Sequence, residues 1–194
     1  MNSNIMRNIK SRSSANDKIY TPLEVAKKMI DICNIQPDEI VLDPCKGGGV
    51  FYDNLPECEK KYCEIEENIN FFDFNQKVDL IIGNPPYSIW NKWVDKTISL
   101  NPKKICYIWG LGNFTPARIE KFTNAGYGIK KLMFLTIDWW FSSSWVVLFE
   151  KGYESSEIIN IPRTINCPKC GTRCGRGRTR KGVKLDPNKC QLIK

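Results

Sequence analysis

Four residues, Asn84-Pro85-Pro86-Tyr87, stand directly after the apolar run Val78-Asp79-Leu80-Ile81-Ile82-Gly83. A buried strand that stops at a rigid turn, with an amide and an aromatic ring on its lip, could grip a flat molecule carrying an exposed amino group. The two prolines fix φ and supply no N–H, so nearby carbonyls are left to accept hydrogen bonds. That arrangement suits methyl transfer to a planar nitrogen. Asn-Pro is also an ordinary turn signal, so the four residues alone decide little.

Their surroundings decide more. Upstream, the apolar stretch Glu39-Ile40-Val41-Leu42-Asp43 runs into Pro44-Cys45-Lys46-Gly47-Gly48-Gly49-Val50-Phe51. Glycines after a strand let the backbone approach a ligand that a Cβ would push away, as in dinucleotide-binding turns. Glu64 follows the short strand Lys61-Tyr62-Cys63, and a carboxylate at that remove from Asp43 suits acceptance from ribose hydroxyls. Bland readings stand beside these. Asp43 could cap a following helix, Phe51 could be plain core, and Glu64 sits in a charged run with Glu59, Glu66 and Glu67.

In these residues the chain resembles the S-adenosylmethionine-dependent amino-methyltransferases, and among them the N6-adenine DNA methyltransferases. The resemblance covers about residues 18 to 152. Tyr20-Thr21-Pro22 resembles the family's first cofactor-binding segment, and Thr21 with Pro22 would also start a helix as N-cap and first helical residue. Asp43, Pro44, Gly47, Gly49 and Phe51 resemble its Asp-Pro-x-x-Gly-x-Gly-x-Phe pattern, with Cys45 where a bulkier residue is common. Glu64 resembles the ribose-binding acid, and Asp73-Phe74 the pair that brackets the cofactor adenine. Asn84, Pro85, Pro86 and Tyr87 match the catalytic motif.

The resemblance implies a mechanism in which the Asn84 side-chain carbonyl and the Pro85 backbone carbonyl accept hydrogen bonds from an adenine N6 amino group. Tyr87 would stack on the base, which duplex DNA must flip out. An aromatic from Trp139-Trp140-Phe141 could close the other side of the slot, although tryptophans beside a strand are often core. The chain has no histidine, so nucleophile systems that need an imidazole base are excluded. Amino methylation needs none.

The elements that must position these residues are legible. Apolar strands recur at Val78 to Gly83, Lys104 to Trp109, Lys131 to Ile137 and Trp145 to Glu150, with helices at Leu23 to Cys33, Ile89 to Leu100 and Pro116 to Ala125. Such alternation predicts an α/β fold with a mostly parallel sheet covered on both faces. The last two strands are too close for a crossover helix and should pair antiparallel. This matches the final hairpin of the Rossmann-like methyltransferase fold that the resemblance implies.

Charge and cysteines set the last segment apart. From Arg163 to Lys194 there are ten Lys and Arg against the one acid Asp186, a surplus larger than the net +8 of the whole chain. Such a segment suits a phosphate backbone, or it is a solubilising tail. Cys167, Cys170, Cys174 and Cys190 could close an all-thiolate structural Zn²⁺ site, Cys-Pro-x-Cys-Gly being a turn that aims two thiolates at one point. The expected organisation is a flexible segment 1–17, a catalytic domain 18–155 and a basic, zinc-binding, cysteine-rich module 163–194. No leader or membrane span is evident, so a reducing intracellular compartment is expected.

The expected function is methyl transfer from S-adenosylmethionine to adenine N6 in DNA. Methylation of structured RNA, methylation of a protein glutamine, and a non-catalytic nucleic-acid-binding subunit remain as alternatives. The segment Gly152 to Pro162 is too short for a recognition region. Either the tail reads the target, or a partner does, or selectivity is low; a specificity subunit or a homo-oligomer is the expected kind of partner.

Overall fold

The computed structural model describes residues 19–137 and 143–154. The expected flexible segment 1–17 and the cysteine-rich module 163–194 lie outside the described residues. Six strands form one sheet: β1 (Ile40–Asp43), β2 (Glu59–Tyr62), β3 (Leu80–Gly83), β4 (Lys104–Gly110), β5 (Tyr127–Leu135) and β6 (Ser144–Lys151). Their order is β2-β1-β3-β4-β6-β5. The first four run parallel, and β6 inserts antiparallel between β4 and β5. This is the Rossmann-like methyltransferase fold, with the antiparallel pair where the sequence places it.

Among the described residues, three α-helices cover the sheet. α1 (Leu23–Cys33) buries Ala26, Met29, Ile30 and Cys33, the spacing of one helical face. α2 (Trp90–Ser99) buries Trp90, Trp93, Val94 and Thr97 in the same rhythm, and α3 (Pro116–Asn124) buries Ile119 and Phe122. Every residue of β4 is buried, as a central strand covered on both faces requires. Alternation along it splits the core in two. Ile105, Tyr107 and Trp109 join Trp90, Phe122 and Phe149 on the α2/α3 face, whereas Cys106 and Ile108 join Met29, Leu80 and Ile82 on the α1 face.

Polar pins hold the register. Ile40 N–H donates to the Asp79 carboxylate at 2.9 Å, Asp79 N–H returns to the Ile40 carbonyl at 2.8 Å, and Lys104 N–H reaches the Asp79 carbonyl at 2.9 Å. The Lys104 ammonium, buried with Glu39, meets that carboxylate at 2.7 Å and the Cys33 carbonyl at 2.9 Å. The starts of β1, β3 and β4 and the end of α1 are thereby locked together.

Two expectations are corrected. Thr21 is not the N-cap of α1. Pro22 holds that position in extended geometry and its carbonyl starts the helix by accepting from Val25 and Ala26 N–H, while Thr21 is buried. Proline serves because the first helical N–H groups need no partner upstream. The strand expected at Lys131 to Ile137 begins earlier, at Tyr127, and ends at Leu135. Gly128 and the adjacent Lys130 and Lys131 break the apolar pattern, and the register shifts between Ile129 and Lys131, which hides the strand's first half.

Candidate cofactor and substrate site

β1 has β2 on one side and β3 on the other, so the direction of winding reverses between β1 and β3. Ligands of open α/β sheets bind at the carboxyl ends of the strands at such a point. Here those ends carry Asp43 with its glycine turn and Gly83 with Asn84.

Asp43 is fully buried. No helix follows it to be capped; the next ordered turn is a short 3₁₀ segment, Tyr52–Asn54. Its Oδ1 accepts from Cys45 N–H at 3.2 Å, and its Oδ2 is buried with no partner. Burial pushes its pKa up to about 7, against the lowering effect of the Cys45 backbone N–H and of the Tyr52 N–H, which lies near the carboxyl without meeting hydrogen-bond geometry. An orphaned carboxylate oxygen of this kind calls for a donor or a cation.

The glycine turn is shaped for close approach. Gly47 and Gly49 have φ of +51° and +80°, which other residues rarely adopt. Tyr20 lies over Gly48, its ring 3.5 Å from where a Cβ would stand, so the Tyr20-Thr21-Pro22 segment does flank the turn. Glu64 closes it from the other side. Its Oε2 accepts from Gly47 N–H at 2.6 Å and its Oε1 from Glu66 N–H at 3.1 Å. Glu64 thus sits at the solvent edge with its carboxylate hydrogen-bonded into the turn. Its backbone is fixed by paired hydrogen bonds with Ile69.

Other expected cofactor residues are placed differently. Phe51 is buried with the α1-face core, a packing role compatible with contact to a cofactor. Asp73 is exposed at the end of a 3₁₀ turn and Phe74 is half-buried against the α2/α3-face core. The ring that anchors this turn is Phe71, 4.4 Å from Trp93.

The Asn84 amide has a defined orientation. Its Nδ2 donates to the Ile19 carbonyl at 3.1 Å, so its Oδ1 faces the other way and accepts from the Tyr87 hydroxyl at 3.3 Å. Two further residues hold the lip: Cys45, noticed in sequence only as a departure from the family pattern, and Gly110, which sequence reasoning missed. Cys45 donates its S–H to the Asn84 backbone carbonyl at 3.5 Å, and burial beside Asp43 keeps that thiol protonated by raising its pKa well above the usual range. Gly110, at the end of β4, admits the Tyr87 ring, 3.2 Å from its would-be Cβ. Gly83 does the same for the glycine turn, since a Cβ there would meet Pro44 at 3.3 Å and Asp43 at 3.4 Å. The available signal was a glycine at the end of each central apolar strand. Tyr87 also packs edge-on to Trp90 at 5.7 Å.

Trp139, Trp140 and Phe141, expected at the slot, and Cys167, Cys170, Cys174 and Cys190, expected to bind zinc, lie outside the described residues. Among the described residues no cluster of three or more potential metal ligands is present, and no helix is long and apolar enough to cross a membrane.

No protein-family model matches the chain, and no curated protein matches it. Solved structures do. A modification subunit of a putative type I restriction enzyme from Vibrio vulnificus YJ016 is similar at 15% identity and TM-score 0.53, covering 77% of this chain and 48% of its own, so the chain spans about half of that protein. The 23S rRNA methyltransferase ErmE is similar at 14% identity and TM-score 0.54, covering 69% of this chain and 70% of its own. Precorrin-6y C5,15-methyltransferase from Geobacter metallireducens GS-15 gives 14% identity and TM-score 0.50, covering 71% and 94%. Likeness at this identity establishes the fold: that of S-adenosylmethionine-dependent methyltransferases.

Proposed function

We propose that this chain transfers a methyl group from S-adenosylmethionine to the N6 amino group of adenine in DNA. The observation that carries the reading is the Asn84 amide. With its NH₂ engaged by the Ile19 carbonyl, its oxygen is presented as an acceptor at the carboxyl end of β3, beside the glycine turn. The turn fits the cofactor: Gly47 and Gly49 admit close approach, Glu64 stands where ribose hydroxyls would replace the Gly47 N–H, and Asp43 holds an unpartnered buried oxygen. When bound, S-adenosylmethionine supplies an electrophilic methyl on a sulfonium centre.

The protein's part is positioning. Asn84 Oδ1 and the Pro85 carbonyl accept the two N6 hydrogens, which localises the nitrogen lone pair otherwise shared with the ring. Tyr87, fixed between Gly110 and Trp90, offers its face to the base. Orienting two partners in this way can lower a barrier by up to about 7–11 kcal/mol. Zinc in the Cys167, Cys170, Cys174 and Cys190 module, and attraction of that module to nucleic acid, belong to the same proposal. The matched structures act, by their names, on substrates from ribosomal RNA to a precorrin, so the fold does not select the substrate. The basic tail favours nucleic acid, and DNA rests on the resemblance of the catalytic motif.

The test is transfer of labelled methyl to single-stranded DNA, duplex DNA, RNA and a glutamine peptide. Labelled N6-methyladenine in DNA is expected, with loss of at least about 100-fold in Asn84→Ala and cofactor binding retained by calorimetry. Full transfer by Asn84→Ala would refute the mechanism, and label confined to RNA or peptide would refute the substrate.

A further inference from the structure

Arg118 occupies the first turn of α3, which has no acidic residue and no side-chain cap. A cation there opposes the helix macrodipole. Its guanidinium is fixed by neutral oxygens: Nε donates to Asn91 Oδ1 at 2.9 Å, and Nη1 donates to the Asn113 carbonyl at 3.0 Å and to Asn113 Oδ1 at 2.6 Å. Among the described residues no carboxylate forms an ion pair with it; Asp95 on the adjoining α2 pairs with Lys121. Partial burial lowers its pKa. An immobilised guanidinium whose partners among the described residues are neutral oxygens keeps its charge for an incoming anion, and its fork geometry suits phosphate.

The same loop carries Phe114, stacked on Trp145 at 5.5 Å, and Trp145 is covered in turn by Phe134 at 4.4 Å. Phe134 is 71% exposed. A ring held by a second ring yet open to solvent has already lost much of its rotamer freedom, and is a platform for a nucleobase. This strip lies at the catalytic edge. Gly110 at the end of β4 and Leu135 at the end of β5 both register with Ser144 at the start of β6, and β4 runs parallel to β3, which delivers Asn84. Asn113 and Phe114 N–H groups bond the Gly110 carbonyl, and Gly110 abuts Tyr87.

We infer that Arg118 and Phe134 form a track for an unpaired nucleic-acid strand, the guanidinium gripping a backbone phosphate and the ring stacking a base outside the Asn84 slot. The inference rests on the nucleic-acid reading above and adds strandedness to it. A paired base keeps its faces inside its own stack and cannot lie on Phe134. Phosphate and base faces are common to DNA and RNA, so the two single strands should bind alike.

The experiment uses the full chain, with fluorescence anisotropy of single-stranded DNA, single-stranded RNA and duplex DNA over a salt series, and methyl-transfer rates alongside. Arg118→Gln should weaken single-strand binding about tenfold and reduce the slope of log affinity against log salt by about one. Arg118→Lys should keep the slope, which loss of the Asn91 and Asn113 contacts alone could not explain. Phe134→Ala should weaken binding about tenfold with the slope unchanged, and duplex should bind more weakly than either single strand. An unchanged slope in Arg118→Gln, or equal duplex and single-strand affinity unaffected by Phe134→Ala, would overturn the track. Wild-type protein that binds strands but methylates none would refute the proposed reaction and leave the track standing.

Discussion

Asp43 concentrates the energetics of the site in one carboxyl group. It is sealed beneath the glycine turn and its pKa stands at about 7 instead of the ordinary 3.8, so between those values the folded chain holds a proton that the unfolded chain has released. Folding stability from this group is therefore fully present below about pH 4 and is lost as pH rises through about 7. Asp43→Asn is expected to flatten that decline, so that urea denaturation shows a smaller difference between about pH 5 and about pH 8, by roughly 1.4 kcal/mol for every tenfold difference in proton affinity that the substitution abolishes. Asp79 has the opposite sense. The Ile40 N–H and then Lys103 hold its pKa below the usual value, so its contribution is lost as pH falls through that depressed value. At this scale the sequence was informative about identity and less so about role. Asp43, Glu64 and Asn84 were singled out by the motifs they resemble, but the contacts that orient Asn84 come from Ile19, which has no distinguishing pattern, and from Cys45, noticed in sequence only as a departure from the family pattern.

Among the elements, the body and end of α1 were readable, though not its cap, because a clean i, i+3, i+4, i+7 face ends at Asn34, whose φ of +47° stops the helix. β5 was half hidden because an edge strand with a bulge need not alternate. Its exposed Phe134 could not be distinguished in sequence from a core phenylalanine. The elements depend on one ionic joint. Lys104 Nζ binds Glu39 together with the last carbonyls of α1, both side chains nearly buried. Lys104→Met should cost about 3–5 kcal/mol, because it removes the only cation paired with Glu39 among the described residues and leaves that nearly buried carboxylate with the Gln36 N–H alone. Chemical denaturation reads the loss, and the double variant with Glu39→Gln should recover part of it.

For the whole molecule, the division of labour predicted from composition remains the organising proposal: a minimal catalytic sheet and a basic module that recruits nucleic acid. Deleting residues 163–194 should leave cofactor affinity unchanged by calorimetry while raising the oligonucleotide KM at least about tenfold and flattening most of its salt dependence. Metal analysis should find about one zinc per chain, lost on Cys167→Ser. The described sheet carries a further consequence. Asp43 and Asn84 are far apart in sequence and become neighbours through the pairing of β1 with β3, Val41 against Leu80 and Leu42 against Ile81. A slip of one residue there would turn the slipped strand's side chains to the opposite face of the sheet. Bringing Asp43 beside Asn84 therefore requires the central strands to pair in register, at the entropic cost of closing a long loop.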